Sequence, residues 1–151
     1  MGERRQQKLI SAATRLMAPG EQVELTTLAK LGSAPVVATA VAGIAAGVVA
    51  GLLGGGVGFV GFRRREVYIV LTDRQVLFFE AVRATGGPGK HLASFRREVV
   101  TSTPPRGSAL GLIVKVTVTV EGMSRPVELN FPPLPPALRA QARQLAAALS
   151  K

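Results

Sequence analysis

The chain has 151 residues, no cysteine and a net charge of +10, from 19 Lys and Arg against 9 Asp and Glu. That length suits one domain, or one domain with an appendage, and can bury a core without staples. The lack of cysteine excludes disulfides and thiolate metal sites, and the basic balance points to an anionic partner, either nucleic acid or an anionic membrane surface.

Residues 3–17 read as an amphipathic helix. Leu9, Ala13, Leu16 and Met17 share a face, Arg4, Arg5, Lys8 and Arg15 lie mostly off it, and Pro19-Gly20 stops it. This patterning argues against a secretory leader, which needs a continuous apolar run. Met1-Gly2 begins like a myristoylation site, but Gln6 stands where Ser or Thr is required. Gln22–Leu31 reads as a strand with Val23, Leu25 and Thr27 on one face.

Leu31–Phe62 follows, with no charged residue in 32 positions and sixteen Gly or Ala. Arg63-Arg64-Arg65 closes it. Val67–Leu71 is a near-continuous run of strand formers, Thr72–Gln75 a turn, and Val76–Glu80 a second strand, so the three make a hairpin. Thr85–Gly89 reads as a loop, and His91–Val100 as a third strand with Leu92 and Phe95 as its large apolar residues. Thr103–Gly107 is a loop. Leu112–Val120 alternates cleanly, with Leu112, Val114, Val116, Val118 and Val120 on one face. Glu121–Ser124 turns into the strand Pro126–Phe131. Pro132–Pro136 then leads to a helix, Ala137–Leu149, whose apolar stripe is Leu138, Ala142, Leu145 and Leu149. Strands followed by a closing helix predict an α+β domain over 20–151, with a mainly antiparallel sheet, an apolar insert at 31–62 and an amphipathic helix at 1–19 ahead of it.

The stretch Val67-Tyr68-Ile69-Val70-Leu71-Thr72-Asp73-Arg74-Gln75-Val76-Leu77-Phe78-Phe79 resembles the hairpin of bacterial pleckstrin-homology-like and GRAM domains. Those domains carry an apolar strand, then Leu-Thr-Asp-Arg/Asn-Arg, then a strand ending in aromatics. The downstream order is similar too, over about Gly20–Leu149, although only the hairpin is specific. The resemblance implies a curved seven-stranded sheet, or β-barrel, capped by the C-terminal helix. It also implies a module for membrane recruitment or protein interaction rather than catalysis. One departure matters: lipid-binding members hold phosphates with basic residues around their first hairpin, whereas here the apolar insert follows the first strand. No headgroup-binding residue is therefore carried over.

Within the insert, Gly43, Gly47, Gly51 and Gly55 fall four apart, as do Ala38, Ala42, Ala46 and Ala50. On a helix such residues stack on one face and allow another helix to approach closely. Two readings stand side by side. In one, the segment contacts a membrane, with Arg63, Arg64 and Arg65 against its anionic surface at about 1 kcal/mol each. In the other, the glycine face packs in water on a second copy of the chain or a protein partner. Length favours the first, since about 20 apolar residues span a bilayer. Each glycine, however, costs about 1 kcal/mol of helix propensity relative to Ala. A single crossing is disfavoured because both flanks are basic: Met1–Lys30 is net +2, and Arg63–Lys151 carries fourteen basic residues against six acidic. A turn at Gly54-Gly55-Gly56 leaves arms too short for two full spans. The membrane reading is therefore a shallow attachment at the inner, cytoplasmic face.

Catalysis has little to build on. His91 is the one histidine, and no Ser or Cys pattern stands beside a base. One His and no Cys leave only carboxylates as metal ligands. Asp73 reads as a turn residue, and Glu66, Glu80 and Glu98 as surface ion-pair partners. Gly56–Gly61 matches a dinucleotide fingerprint in letters but precedes a strand, and Gly86–Lys90 lacks Walker spacing. With no Trp, one Tyr and no helix-turn-helix, zinc-finger or RNP pattern, the sequence weighs against nucleic acid as well. The expectation is a non-enzymatic module with no cofactor.

Overall fold

The computed structural model describes residues 2–32, 66–82, 84–108, 112–123 and 126–150. Its elements are α1 (Glu3–Thr14), β1 (Val23–Leu31), β2 (Glu66–Thr72), β3 (Gln75–Val82), β4 (Gly87–Arg96), β5 (Val100–Ser102), β6 (Arg106–Gly107), β7 (Val114–Val120), β8 (Val127–Phe131) and α2 (Ala137–Leu149). A single 3-10 turn, Arg97–Val99, joins β4 to β5. The domain is α+β, with an eight-stranded, curved antiparallel sheet and a C-terminal helix. The strand order is β4-β3-β2-β1-β8-β7-β5, and β6 pairs with β7 off that path.

The continuous apolar run of β2 has a direct cause: this strand is covered on both faces. Val67, Ile69 and Leu71 point inward with Val76 and Phe78 into the main core, which α2 closes with Ala142, Leu145 and Leu149. Tyr68 and Val70 point outward with Leu77 and Phe79 into a second cluster, which α1 closes with Leu9 and Ala13. A strand buried on one face alternates, whereas one buried on both cannot. Exposed strands keep the alternation. β7 buries Val114, Val116, Val118 and Val120 and leaves Lys115 and Thr119 in solvent.

Several expectations are corrected. α1 ends at Thr14 rather than residue 17, because the chain turns there, with Leu16 N–H bonded to Ala13 O at 2.8 Å. Leu16 is consequently exposed instead of sharing the buried face. Val23 and Leu25 do not share a face. A bulge between them shifts the register against β2, so Val23 joins the outer cluster and Leu25 the inner one. β4 starts at Gly87, inside the expected Gly/Pro loop, and stops at Arg96. Pro88 is tolerated because β4 is the last strand on the path, where every other backbone group has no strand to pair with. β7 begins at Val114, and Leu112 and Ile113 are exposed before it. The expected loop at 103–107 contributes β6 to the sheet. The insert's candidate helix-packing residues, Gly43, Gly47, Gly51 and Gly55, and the arginines Arg63, Arg64 and Arg65 lie outside the described residues.

Candidate interaction surface

Lys30 and Glu66, on either side of residues 31–65, meet in space. β1 and β2 pair antiparallel up to Lys30 opposite Glu66, whose side chains form an ion pair at 3.6 Å. Just beyond, Gly32 N–H donates to Glu128 O at 2.8 Å. Gly32 is buried, and a Cβ there would lie 2.8 Å from Glu128 Oε1. Glu128 is itself held by Lys115 Nζ at 3.3 Å and Asn130 Nδ2 at 3.2 Å. Gly32 and Glu66, the described residues that flank 33–65, therefore lie at one end of the sheet.

The same end carries the β3–β4 connection, because Val82 faces Gly87 and Val67 faces Glu80. Tyr68 OH donates to Gly86 O there at 2.6 Å. Burial raises the Tyr68 pKa, the nearby Arg5 charge opposes that rise and Glu66 adds to it. Arg5 lies over Gly86, whose φ is +61°, so closely that a Cβ would sit 2.7 Å from the guanidinium carbon. Gly86 thus has two reasons to be glycine, its backbone conformation and this contact.

At the opposite end the β2–β3 turn is locked to the α1–β1 loop. Thr72 Oγ1 donates to the Glu21 carboxylate and accepts from the Arg74 and Gln75 N–H groups. The other Glu21 oxygen accepts from Ala18 N–H at 2.7 Å and Gln75 Nε2 at 3.1 Å. Asp73 Oδ1 accepts from Gln22 N–H at 2.9 Å. Asp73 is a turn residue, as its sequence context implied. Glu66 and Glu98 are ion-pair partners, Glu98 with Arg96 at 3.3 Å. Glu21 carries a role that the sequence did not reveal, because its partners on the β2–β3 turn, Thr72 and Gln75, are more than fifty residues away.

Two basic grooves lie among the described residues. The first, about 560 Å3, lies beside the β2–β3 turn and is lined by Arg74, Arg96 and Arg97 together with Asp73 and Glu98. Its arginines are engaged. Arg97 donates to Glu24 at 2.7 Å, to Thr72 O and to Ala148 O, while Arg74 pairs with Asp73 and Arg96 with Glu98. The second, about 650 Å3, runs along α1 and is lined by Arg4, Lys8, Ser11 and Arg15 with Thr85 and Pro88 across from them. None of its described lining residues is acidic. Positions 4, 8, 11 and 15 repeat at the helical period and make one stripe. The sequence placed these cations off the apolar face, and that spacing was the signal that they share a face of their own.

His91 is half-buried on β4, with Nε2 2.8 Å from Ser94 Oγ and its ring 5.5 Å from that of Phe79. Burial lowers its pKa, and a hydrogen bond with the Ala93 backbone works against that. Among the described residues, no three His, Cys, Asp or Glu side chains cluster as metal ligands, and no helix is long and apolar enough to cross a membrane. No protein-family model and no curated protein matches the chain.

Proposed function

We propose that the chain is a non-catalytic binding or adaptor module of the pleckstrin-homology/GRAM type. In this reading Leu31–Phe62 holds it at the inner, cytoplasmic face of a membrane, with Arg63, Arg64 and Arg65 against the anionic lipid surface. The observation that carries the reading is the pairing of Lys30 with Glu66. An uncharged stretch bracketed by adjacent strands of one sheet suits attachment from one side of a bilayer and not a single crossing. The module type is supported by the Val67–Phe79 hairpin forming β2 and β3, and by a curved antiparallel sheet with α2 packed against β1, β5 and β7, although the sheet has eight strands where seven were expected.

The test is fractionation of cells expressing the full chain. The protein should pellet with membranes and be released by detergent. Replacing residues 33–62 with a short Gly-Ser turn, which the pairing of β1 with β2 permits, should move it to the soluble fraction. A chain that is soluble at low salt without detergent, with the replacement changing nothing, would contradict the reading. Self-association through Gly43, Gly47, Gly51 and Gly55 would then be the account to pursue.

A further inference from the structure

We infer that the groove along α1 is a second contact with the bilayer, in which Arg4, Lys8 and Arg15 bind the headgroups of anionic phospholipids. The inference rests on the membrane reading above and adds to it a surface, an orientation and a lipid class. Its first support is charge. Arg4, Lys8 and Arg15 line one open groove with Ser11, and none of the described residues lining it is acidic. The helix's one acid, Glu3, lies about 100° round the helix axis from Arg4. Ion pairs elsewhere on the described surface neutralise Lys30, Arg74, Arg96, Arg97 and Lys115, whereas no such pair involves Arg4, Lys8 or Arg15 among the described residues.

The second support is position. Arg5 rests on Gly86, so the start of α1 lies at the end of the sheet where residues 33–65 depart. Leu16 O accepts from Gln75 Nε2, so the other end of the helix reaches the β2–β3 turn. The basic stripe therefore begins at the end of the sheet that carries Gly32 and Glu66 and extends away from it. A bilayer that receives the apolar insert meets Arg4 and Lys8 first. An extended nucleic acid has no such reason to choose this face. The helix is also firmly seated, with Leu9 and Ala13 fully buried beneath it, so the cations are displayed on a rigid element.

The experiment is co-sedimentation of the full chain with vesicles of phosphatidylcholine alone and with vesicles also containing phosphatidylserine. A basic residue near an anionic surface contributes about fivefold in affinity. The triple variant R4Q/K8Q/R15Q should lose about a hundredfold on the phosphatidylserine vesicles and little on the neutral ones. R4K/K8R/R15K should bind as the native chain does. Since the three side chains are exposed, thermal unfolding should be unchanged, which separates lost contact from lost fold. If the Gln variant binds as tightly as the native chain, the inference is overturned while the membrane reading stands. If the native chain binds neither vesicle, the membrane reading fails and the inference with it. Tighter binding to duplex RNA than to the phosphatidylserine vesicles, lost in the same variant, would also overturn it in favour of a nucleic-acid surface.

Discussion

The two basic grooves are similar in size and in number of cations, yet they are built for different ends. Beside the β2–β3 turn, Arg97 joins β1, β2 and α2 through Glu24, Thr72 O and Ala148 O, and acids accompany Arg74 and Arg96. Those charges are spent on the fold. Along α1, the cations stand on a helix whose other face is fully committed to the outer cluster, and none of the described lining residues offsets them. A count of cations would treat the grooves alike; the distribution of carboxylates distinguishes them.

The largest expected effect falls on the seat of the second groove. Leu9 is fully buried between α1 and the outer face of the sheet, and Leu9→Ala should cost about 3 kcal/mol in chemical denaturation. It should also weaken vesicle binding by loosening the helix that carries the stripe. Next, Arg97→Ala should cost about 2 kcal/mol, the value of charge-assisted hydrogen bonds at a partly exposed site, and leave vesicle binding unchanged. Lys8→Ala should do the converse, with stability within about 0.5 kcal/mol of native and measurably weaker binding. If both substitutions affected stability equally, the distinction between the grooves would collapse.

The smallest effect concerns pH. His91 lies in neither groove, and its pKa in the fold is lowered from 6.5 because burial disfavours the charged ring. The unfolded chain therefore binds the proton more readily. Its contribution to stability is complete above pH 6.5 and is lost as the pH falls below that value towards the folded pKa. His91→Gln should flatten that acid limb in a denaturation series. The native chain's vesicle binding should not follow it.

Much of the architecture was legible in the sequence. The Val67–Phe79 hairpin, the β8 strand and α2 stand where the patterns place them, and all four residues of the α2 stripe are buried. The continuous apolar run of β2 recorded burial on both faces, although it did not show that α1 supplies the second cover. The bulge in β1 was hidden because strict alternation assumes one register, and one extra residue reverses the faces. β4 was hidden at its start because Gly and Pro break strands except at an edge, and edge position is a property of the whole sheet.

The candidate surface was legible only in part. The stripe at Arg4, Lys8 and Arg15 follows from helical spacing. The pairing of Arg74, Arg96 and Arg97 does not follow as a set, since Arg97 finds Glu24 across 73 positions of sequence. Gly43, Gly47, Gly51, Gly55 and Arg63–Arg65 were singled out from sequence alone and lie outside the described residues.

The proposal that the α1 face, and not the groove at the β2–β3 turn, meets the bilayer can be tested with site-specific probes. The native chain has no cysteine, so single probes can be placed without background. A spin label at Ser11→Cys and, separately, one at Arg96→Cys should be measured against a water-soluble paramagnetic relaxer, with and without phosphatidylserine vesicles. The label at position 11 should become shielded on vesicle binding while the label at position 96 stays accessible. Equal accessibility at both positions in the bound state, or shielding at position 96 alone, would contradict the account.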